Sequence, residues 1–159
     1  MSLSINRKIF DRVKTAIAET GRINMLSWAK VQDSSTTESV DEIRELPLLG
    51  DCRTTACIGG LACHLATSQE ITRAAETYDL SDHEAQEPSL LGAALFLDGA
   101  EDEYELKSAC LPLFSLLHWP PEDQSAYDAS RTDAERNQVV LRRMDDWAAG
   151  IEALQSAES

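Results

Sequence analysis

The chain lacks the features that mark secreted and membrane proteins. Its N-terminus reaches charged residues at Arg7 and Lys8 and has no apolar core of a secretory signal. The longest nearly apolar run, 90–97, is eight residues, and a membrane-spanning helix needs about 20. These absences predict a cytoplasmic protein that does not enter or bind a membrane.

Aromatic residues are scarce, at 6% of the chain, and no alternating strand pattern of useful length is visible. Leu and Ala dominate the apolar residues, which favours helices. The 159 residues are enough to bury one core without disulfides. We therefore expect a single all-α domain over 1–159, with an exposed loop at the polar segment 32–42. The segment 23–28 is either a short extended segment or one helical turn.

Basic residues are almost missing from the middle of the chain. Residues 1–80 carry 9 basic and 11 acidic side chains, whereas residues 81–159 carry 5 and 17, a net charge of −12. The segment 81–130 contains 11 acids and a single base, Lys107. This charge excludes direct nucleic-acid binding, which needs Lys and Arg to neutralise phosphates, and it attracts proteins with a basic surface.

We call the carboxylates predicted to bind such a partner the acidic face. Its members are Asp98, Glu101, Asp102, Glu103, Glu105, Glu122 and Asp123. The run 98–105 lacks the alternating oxygen ligands of an EF-hand, so calcium is not predicted. An acidic run usually forms a solvated surface, and a sharper interpretation is a mimic of the DNA phosphate backbone that occupies a basic groove.

Several local signals predict where helices begin and end. Ser4 is a candidate cap for a first helix that ends at Gly21. Its apolar side chains recur every four residues, at Ile5, Ile9, Val13 and Ile17. Later helices are expected to begin at Ser68, at Ser81, near Pro88 and at Thr132. Within 106–119, Pro112 predicts a break or a fresh helix start at its own position. The last helix has an apolar stripe of Val140, Met144, Trp147, Ile151 and Leu154.

The stretch 52–64 gathers three of the four cysteines with a histidine and two adjacent glycines. We expect a buried helix over 55–65, capped by Thr54 or Thr55. Each glycine costs about 1 kcal/mol relative to Ala inside a helix, which is tolerable if another backbone or Trp28 packs closely there. The residues predicted to form this structural motif are Cys52, Thr54, Cys57, Gly59 and Gly60, together with Trp119.

Chemistry at this stretch has three possible forms, and the first is a metal site. The spacing Cys52-x4-Cys57-x5-Cys63-His64 departs from the paired Cys-x2–4-Cys pattern of zinc sites. In a helix, Cys57 and Cys63 would point to different faces, and Cys57 and His64 would lie roughly 10 Å apart along the axis. We therefore predict no metal and no cofactor.

The second form is a nucleophilic thiol, and the third is a ligand pocket. Cys52 and Cys57 lie near the N-terminus of the expected helix. The helix dipole can lower the pKa of a thiol there, as a cysteine hydrolase requires. The candidate bases are His64, His83 and His118. Alternatively, Gly59 and Gly60 would let a small ligand approach the backbone.

The residues 52–62 resemble a stretch in a loose group of phage and bacterial proteins, Cys-Gly-Thr-x-x-Cys-Ile-Ala-Gly-aromatic-Ala. Members often carry a Met-x-x-Trp segment before it and a Leu-Phe…Trp-Pro segment after it. The matching residues here are Met25 and Trp28, Leu113 and Phe114, and Trp119 and Pro120. Arg53 replaces the group's Gly, and Leu61 replaces its aromatic residue. No activity is established for the group, so the resemblance implies a mobile-element context and predicts that Trp119 packs on the cysteine helix.

Together these observations predict a non-catalytic interaction protein of phage or mobile-element type. It would bind a basic protein through its acidic C-terminal half. The alternatives are a cysteine-dependent hydrolase that uses Cys52 or Cys57, and a small-ligand-binding domain.

Overall fold

The computed structural model describes residues 3–20, 23, 25, 29–31, 36–37, 39–45 and 54–158. Over these residues the chain is mainly helical, which confirms the all-α prediction. The helices are α1 (Arg7–Thr20), α2 (Val40–Glu45), α3 (Ile58–Leu65), α4 (Ser68–Thr77), α5 (Pro88–Phe96), α6 (Glu103–Phe114), α7 (Pro121–Ala129) and α8 (Asp133–Glu158).

Five short strands accompany the helices in the described part of the chain. They are β1 (Ser4–Ile5), β2 (Ala29–Val31), β3 (Thr36–Thr37), β4 (Thr54–Ala56) and β5 (Leu97–Asp98). β1 pairs antiparallel with β5, and β2 lies between β3 and β4 with both pairings antiparallel. The described strands thus form one two-stranded and one three-stranded sheet, both built from strands of two or three residues.

Helix α5 is the centre of the core. Apart from Ser89, all its residues are buried, and Leu91, Ala93 and Phe96 have no exposed surface. It contacts α1, α3, α4 and α6. Because it is apolar on every side, it has no solvent face, as expected of a helix surrounded by others.

An aromatic cluster joins α5 to the first and last helices. The Phe96 ring lies 5.8 Å from that of Phe10 in a T-shaped pair and 5.6 Å from that of Phe114. The Trp147 ring stacks on Phe10 at 6.0 Å, and its Nε1 donates to the Ala109 carbonyl over 2.8 Å. Residues from both ends of the chain therefore share one core.

Three of the predicted helix starts are confirmed. α4 begins at Ser68 behind a capping box in which Thr67 and Glu70 bond reciprocally. α5 begins with Pro88 in its first turn, and the Thr132 hydroxyl accepts from the Glu135 N–H at the start of α8. Ser81 and Glu84 form a capping box too, but it opens only a 3-10 turn, Glu84–Gln86.

The predicted cap of the first helix is wrong. Ser4 lies in β1 opposite Asp98, and α1 begins three residues later, at Arg7. The Asn6 N–H donates to the Phe96 carbonyl over 2.8 Å, which extends the strand pairing up to the helix. Gly21, the predicted end, lies outside the described residues.

The loop predicted at 32–42 is wrong where the structure describes it. Thr36–Thr37 form β3, and α2 begins at Val40, whose side chain is buried together with Ile43. The Ser39 hydroxyl accepts from the Glu42 N–H over 3.3 Å and caps this helix. Residues 32–35 and 38 lie outside the described residues.

The segment 23–28 is described only at Ile23 and Met25, both of which are buried. The extended segment that the structure describes in this region is β2, beginning at Ala29. The rest of the predicted segment, Trp28 included, lies outside the described residues.

Two further predictions about the C-terminal half need correction. α6 continues through Pro112 and ends two residues later, at Phe114, so neither a break nor a helix start lies at the proline itself. The Pro112 carbonyl accepts two hydrogen bonds from the Arg143 guanidinium, at 3.0 and 3.2 Å. On α8, Leu154 is 59% exposed and does not belong to the buried stripe.

Candidate functional site

The helix of the cysteine stretch begins later than predicted, and it is preceded by a strand. Thr54 lies in β4, so neither Thr54 nor Thr55 caps a helix, and α3 begins only at Ile58. Its cap is Cys57, whose Sγ accepts a hydrogen bond from the Gly60 N–H over 3.4 Å. The short β4 pairs with β2, with Lys30 opposite Thr55, and this long-range pairing keeps the segment extended.

The described thiols are buried. Cys57 is 2% exposed, and burial raises the pKa of its thiol to about 12, despite the hydrogen bond from Gly60. Burial also raises the pKa of Cys63 and of Cys110. At neutral pH these thiols are protonated, whereas nucleophilic catalysis needs the thiolate. Cys52 lies outside the described residues.

The three histidines serve other contacts. The Nδ1 atom of His64 lies 3.1 Å from the Ile43 carbonyl, and burial lowers its pKa. His118 contacts the Ser115 hydroxyl over 3.1 Å, and the exposed His83 lies 3.7 Å from a Glu87 carboxylate oxygen. The structure therefore does not bring a histidine and Cys57 together as a catalytic pair.

The glycines of the stretch lie at a close helix crossing. A Cβ atom added to Gly92 on α5 would lie 3.5 Å from the Gly59 carbonyl oxygen on α3. Both Gly59 and Gly60 are buried. Gly59 therefore faces the backbone of another helix, which argues against a ligand at this point.

Trp119 is 2% exposed and shares the core with Cys57. Its ring packs edge-on against Tyr127 at 5.8 Å, and its Nε1 donates to the Leu113 carbonyl over 2.9 Å. Tyr127 in turn accepts a hydrogen bond from the Met25 N–H over 2.9 Å. The contacts of Trp119 thus run to α6 and α7, and its predicted packing directly on the cysteine helix stays a prediction.

Arginines from two helices bind the C-terminal end of α3. Arg44 of α2 donates to the carbonyls of Cys63, at 2.9 Å, and Ala66. Arg12 of α1 donates to the Leu65 carbonyl over 3.1 Å and forms an ion pair with Glu70 at 2.7 Å. Positive charge at a helix C-terminus stabilises the helix, so this arrangement serves the fold.

The acidic face is only partly exposed. Asp98, Glu101, Asp102 and Glu122 are exposed, whereas Glu103 and Glu105 are half-buried. Asp123 is 7% exposed and forms an ion pair with Arg142 at 3.3 Å, so it does not belong to a solvent-facing surface. Burying a charged group is unfavourable unless an opposite charge lies beside it, and here that charge is the Arg142 guanidinium.

Two members of the acidic face also organise the start of α6. The Asp102 carboxylate accepts from the Glu105 N–H over 2.8 Å and caps the helix, and the Glu105 carboxylate accepts from the Glu101 N–H over 3.2 Å. Negative charge is favourable at a helix N-terminus. The fold therefore holds several carboxylates together at this helix end.

Two carboxylates that the sequence did not indicate, Glu84 and Glu87, interact with residues of α6. The carboxyl group of Glu103 interacts with that of Glu84, which raises the pKa of Glu103 and lowers that of Glu84. Glu87 lies 3.5 Å from the Lys107 ammonium. Glu84 and Glu87 lie well before the acidic run in the sequence, so no local pattern groups them with it; Glu84 belongs to the turn before α5, and Glu87 is the N-cap of α5.

Large apolar side chains are exposed in the same part of the chain. Tyr104 is 80% exposed, Leu111 44% and Leu117 82%. All three lie within 81–130, the segment with 11 acids and one base. Aromatic residues are enriched at the centres of protein interfaces, so these exposed side chains are candidates for contacts with a partner.

A cavity of about 160 Å³ lies where α1, α4 and α5 meet. Its polar lining includes Asn6, Lys8, Arg73, Tyr78 and Asp98. Ligand pockets usually measure about 300–1,000 Å³, so this cavity is small, and neither Gly59 nor Gly60 lines it. Among the residues described, no three His, Cys, Asp or Glu side chains are grouped to hold a metal ion.

No protein-family model, curated protein or solved structure matches this chain. None of the helices in the described part of the chain is both long and apolar enough to cross a membrane.

Proposed function

We propose that this protein is a non-catalytic interaction protein, of phage or mobile-element type, that binds a basic protein partner through its acidic C-terminal half. The observation that carries this proposal is the coincidence, within 81–130, of 11 acids against one base with three exposed large apolar side chains. The mobile-element context rests on the resemblance at residues 52–62 alone.

The charge distribution favours the acidic C-terminal half as the place where a basic partner binds. A concentrated negative field steers a basic partner to this part of the molecule and raises the association rate. Exposed carboxylates at Asp98, Glu101 and Asp102 lie where a partner's Lys and Arg can reach them. Since α6 is capped by Asp102, part of this charge has a fixed position.

The chemistry of the core argues against the cysteine hydrolase. Cys57 is buried, its pKa is raised to about 12, and its sulfur serves as the cap of α3. Removing a proton from such a thiol at neutral pH is unfavourable. The small-ligand alternative loses its argument at Gly59, where a second helix packs.

A surface that combines carboxylates with apolar side chains fits better than a purely charged mimic of the DNA phosphate backbone. DNA presents a continuous row of charges, whereas here Tyr104 and Leu111 are exposed among the carboxylates. Apolar side chains are the usual source of affinity in protein interfaces, and the charged rim supplies rate and specificity.

Binding of a flexible lysine-rich peptide, measured by fluorescence anisotropy, tests this proposal. We expect affinity to fall steeply between about 0.05 M and about 0.5 M NaCl, because salt screens exposed charges. Neutralising three exposed members of the acidic face should weaken binding. The changes are Asp98→Asn, Glu101→Gln and Glu122→Gln.

The matched control neutralises three exposed acids of the N-terminal half. Its changes are Glu19→Gln, Asp41→Asn and Glu76→Gln. Both variants have the same net charge, so only a localised site separates them. Stronger weakening by the first variant supports the proposal, and equal weakening by both would show that net charge alone binds the peptide and would refute it.

A further inference from the structure

Helix α6 has two faces of different character. Leu106, Cys110 and Leu113 are buried in the core. On the other side, Tyr104 and Leu111 are exposed by 80% and 44%. Residues seven apart differ by about 20° around a helix and by about 10 Å along its axis. Tyr104 and Leu111 therefore lie on one side of α6 that the core does not use, with the exposed Lys107 and Ser108 between them, and we call this side the stripe.

Carboxylates lie at one end and along the flank of this stripe. Glu101 and Asp102 precede the helix and are exposed, and Glu105 lies next to Tyr104 in the first turn. On the other flank, Glu103 lies in the first turn of α6. An exposed tyrosine within a polar rim has the composition of an interface centre, where aromatic residues supply most of the affinity.

We infer that this stripe binds the apolar face of an amphipathic helix that belongs to a partner protein and carries Lys and Arg beside its apolar residues. This inference rests on the proposed function and names the kind of partner that the acidic half takes. Two apolar side chains separated by two turns match the i and i+7 side chains of a helix lying along α6. The partner's cations would face Glu101, Asp102 and Glu105.

The charge also selects between occupants of the stripe. In a symmetric dimer the same patch of each copy would face itself. That would bring two acidic rims together, and like charges in contact oppose association. A basic helix neutralises the same rim, so the partner is a different chain with the opposite charge.

Two synthetic helical peptides of identical Lys, Leu and Ala composition provide the test. One places its leucines on a single stripe flanked by lysines, and the other distributes them over all faces; circular dichroism verifies the helicity of both. We expect the striped peptide to bind at least about tenfold more tightly. The double variant Tyr104→Ser, Leu111→Ser should bind both peptides with the same weak affinity.

Leu154→Ser is the matched control, because Leu154 is an exposed leucine on α8, outside the stripe. It should leave the affinity for the striped peptide unchanged. All these side chains are exposed, so the variants should fold, and their far-UV spectra verify it. If the double variant binds the striped peptide as tightly as the unmodified chain does, the inference is refuted.

The failure of this inference is distinguishable from failure of the proposed function. If the acidic-face variant weakens binding of the flexible lysine-rich peptide while the stripe variant changes nothing, the acidic half binds by charge alone and only the helix partner is refuted. Self-association lost in the stripe variant, measured by sedimentation velocity, would make a second copy the occupant and would also overturn the inference.

Discussion

The carbonyl oxygen of Gly59 lies 3.5 Å from the position that a Cβ atom on residue 92 would occupy. Helices α3 and α5 therefore meet with almost no side chain between their backbones. The expectation that a second backbone packs at the glycine pair is confirmed for Gly59. Glycine in a helix interior is normally unfavourable, and here the close packing of two helices compensates for it.

Gly92→Ala should lower the free energy of unfolding by about 1–2 kcal/mol, because overpacking a tight core is destabilising. The new methyl group would lie 3.1 and 3.3 Å from two ring carbons of Phe114, which is itself buried. Urea unfolding followed by circular dichroism measures the change. Gly150→Ala is the control, since nothing lies within 4 Å of its added methyl group. It should stabilise α8 by about 0.5–1 kcal/mol, and equal effects of the two changes would contradict this account.

Asp79→Gly should raise the free energy of unfolding by about 0.5–1 kcal/mol, because glycine adopts positive φ without steric cost. Asp79 has a φ of 50° directly after the C-cap of α4. The Leu80 N–H donates to the Ala75 carbonyl over 2.9 Å and the Asp79 N–H to the Glu76 carbonyl over 3.2 Å, a Schellman motif. Thermal unfolding measures the change. Glu76→Gly, in the last turn of the same helix, should have the opposite sign, and destabilisation by Asp79→Gly would refute the prediction.

These helix ends show which parts of the fold the sequence could predict. Capping boxes depend on residues three apart, so the starts at Ser68 and Thr132 were predictable. The same spacing occurs at Ser39 and Glu42, but the segment around it is polar, and the burial of Val40 depends on residues distant in the sequence. Strand β4 depends on its pairing with β2, which no local pattern indicates.

The candidate site was predictable only in its charge. The excess of acids over bases in 81–130 is a property of composition, which the sequence states directly. Burial of Asp123 against Arg142 depends on the packing of α7 on α8, and the interaction of Glu84 with Glu103 joins the turn before α5 to the start of α6. The exposure of Tyr104 could not be predicted from the sequence either, because aromatic residues are more often buried than exposed.

His64 should make the protein less stable as the pH falls below neutral. Burial lowers its pKa in the folded chain relative to the unfolded value of about 6.5. The unfolded chain then binds the proton more readily, so stability is complete above that pH and is lost as the pH falls through the folded pKa. The Arg44 guanidinium, which also disfavours a second positive charge, acts in the same direction.

The measurement is the urea midpoint of His64→Asn and of the unmodified chain between pH 7.5 and pH 5, values that bracket the ordinary histidine pKa of about 6.5. An asparagine amide can retain the hydrogen bond to the Ile43 carbonyl but does not titrate. The variant should therefore lose less stability on acidification. His83→Asn is the control, because His83 is exposed. Identical pH profiles for His64→Asn and the unmodified chain would contradict the assignment.

The buried thiols should resist alkylation until the protein unfolds. A Cys52→Ser background removes the one cysteine outside the described residues and leaves Cys57, Cys63 and Cys110, each at most 2% exposed. Because burial raises the pKa of Cys57 to about 12, its thiolate is scarce at neutral pH, and the reagent also has no access to it. We expect labelling by a thiol reagent at pH 7 to be slow in buffer and rapid in denaturing urea.

Rapid labelling of the folded background, with an apparent pKa below the ordinary thiol value of about 8.5, would restore the cysteine hydrolase and count against an interaction protein. Slow labelling that accelerates in proportion to the unfolded fraction leaves Cys57 with the structural role that its hydrogen bond to Gly60 indicates.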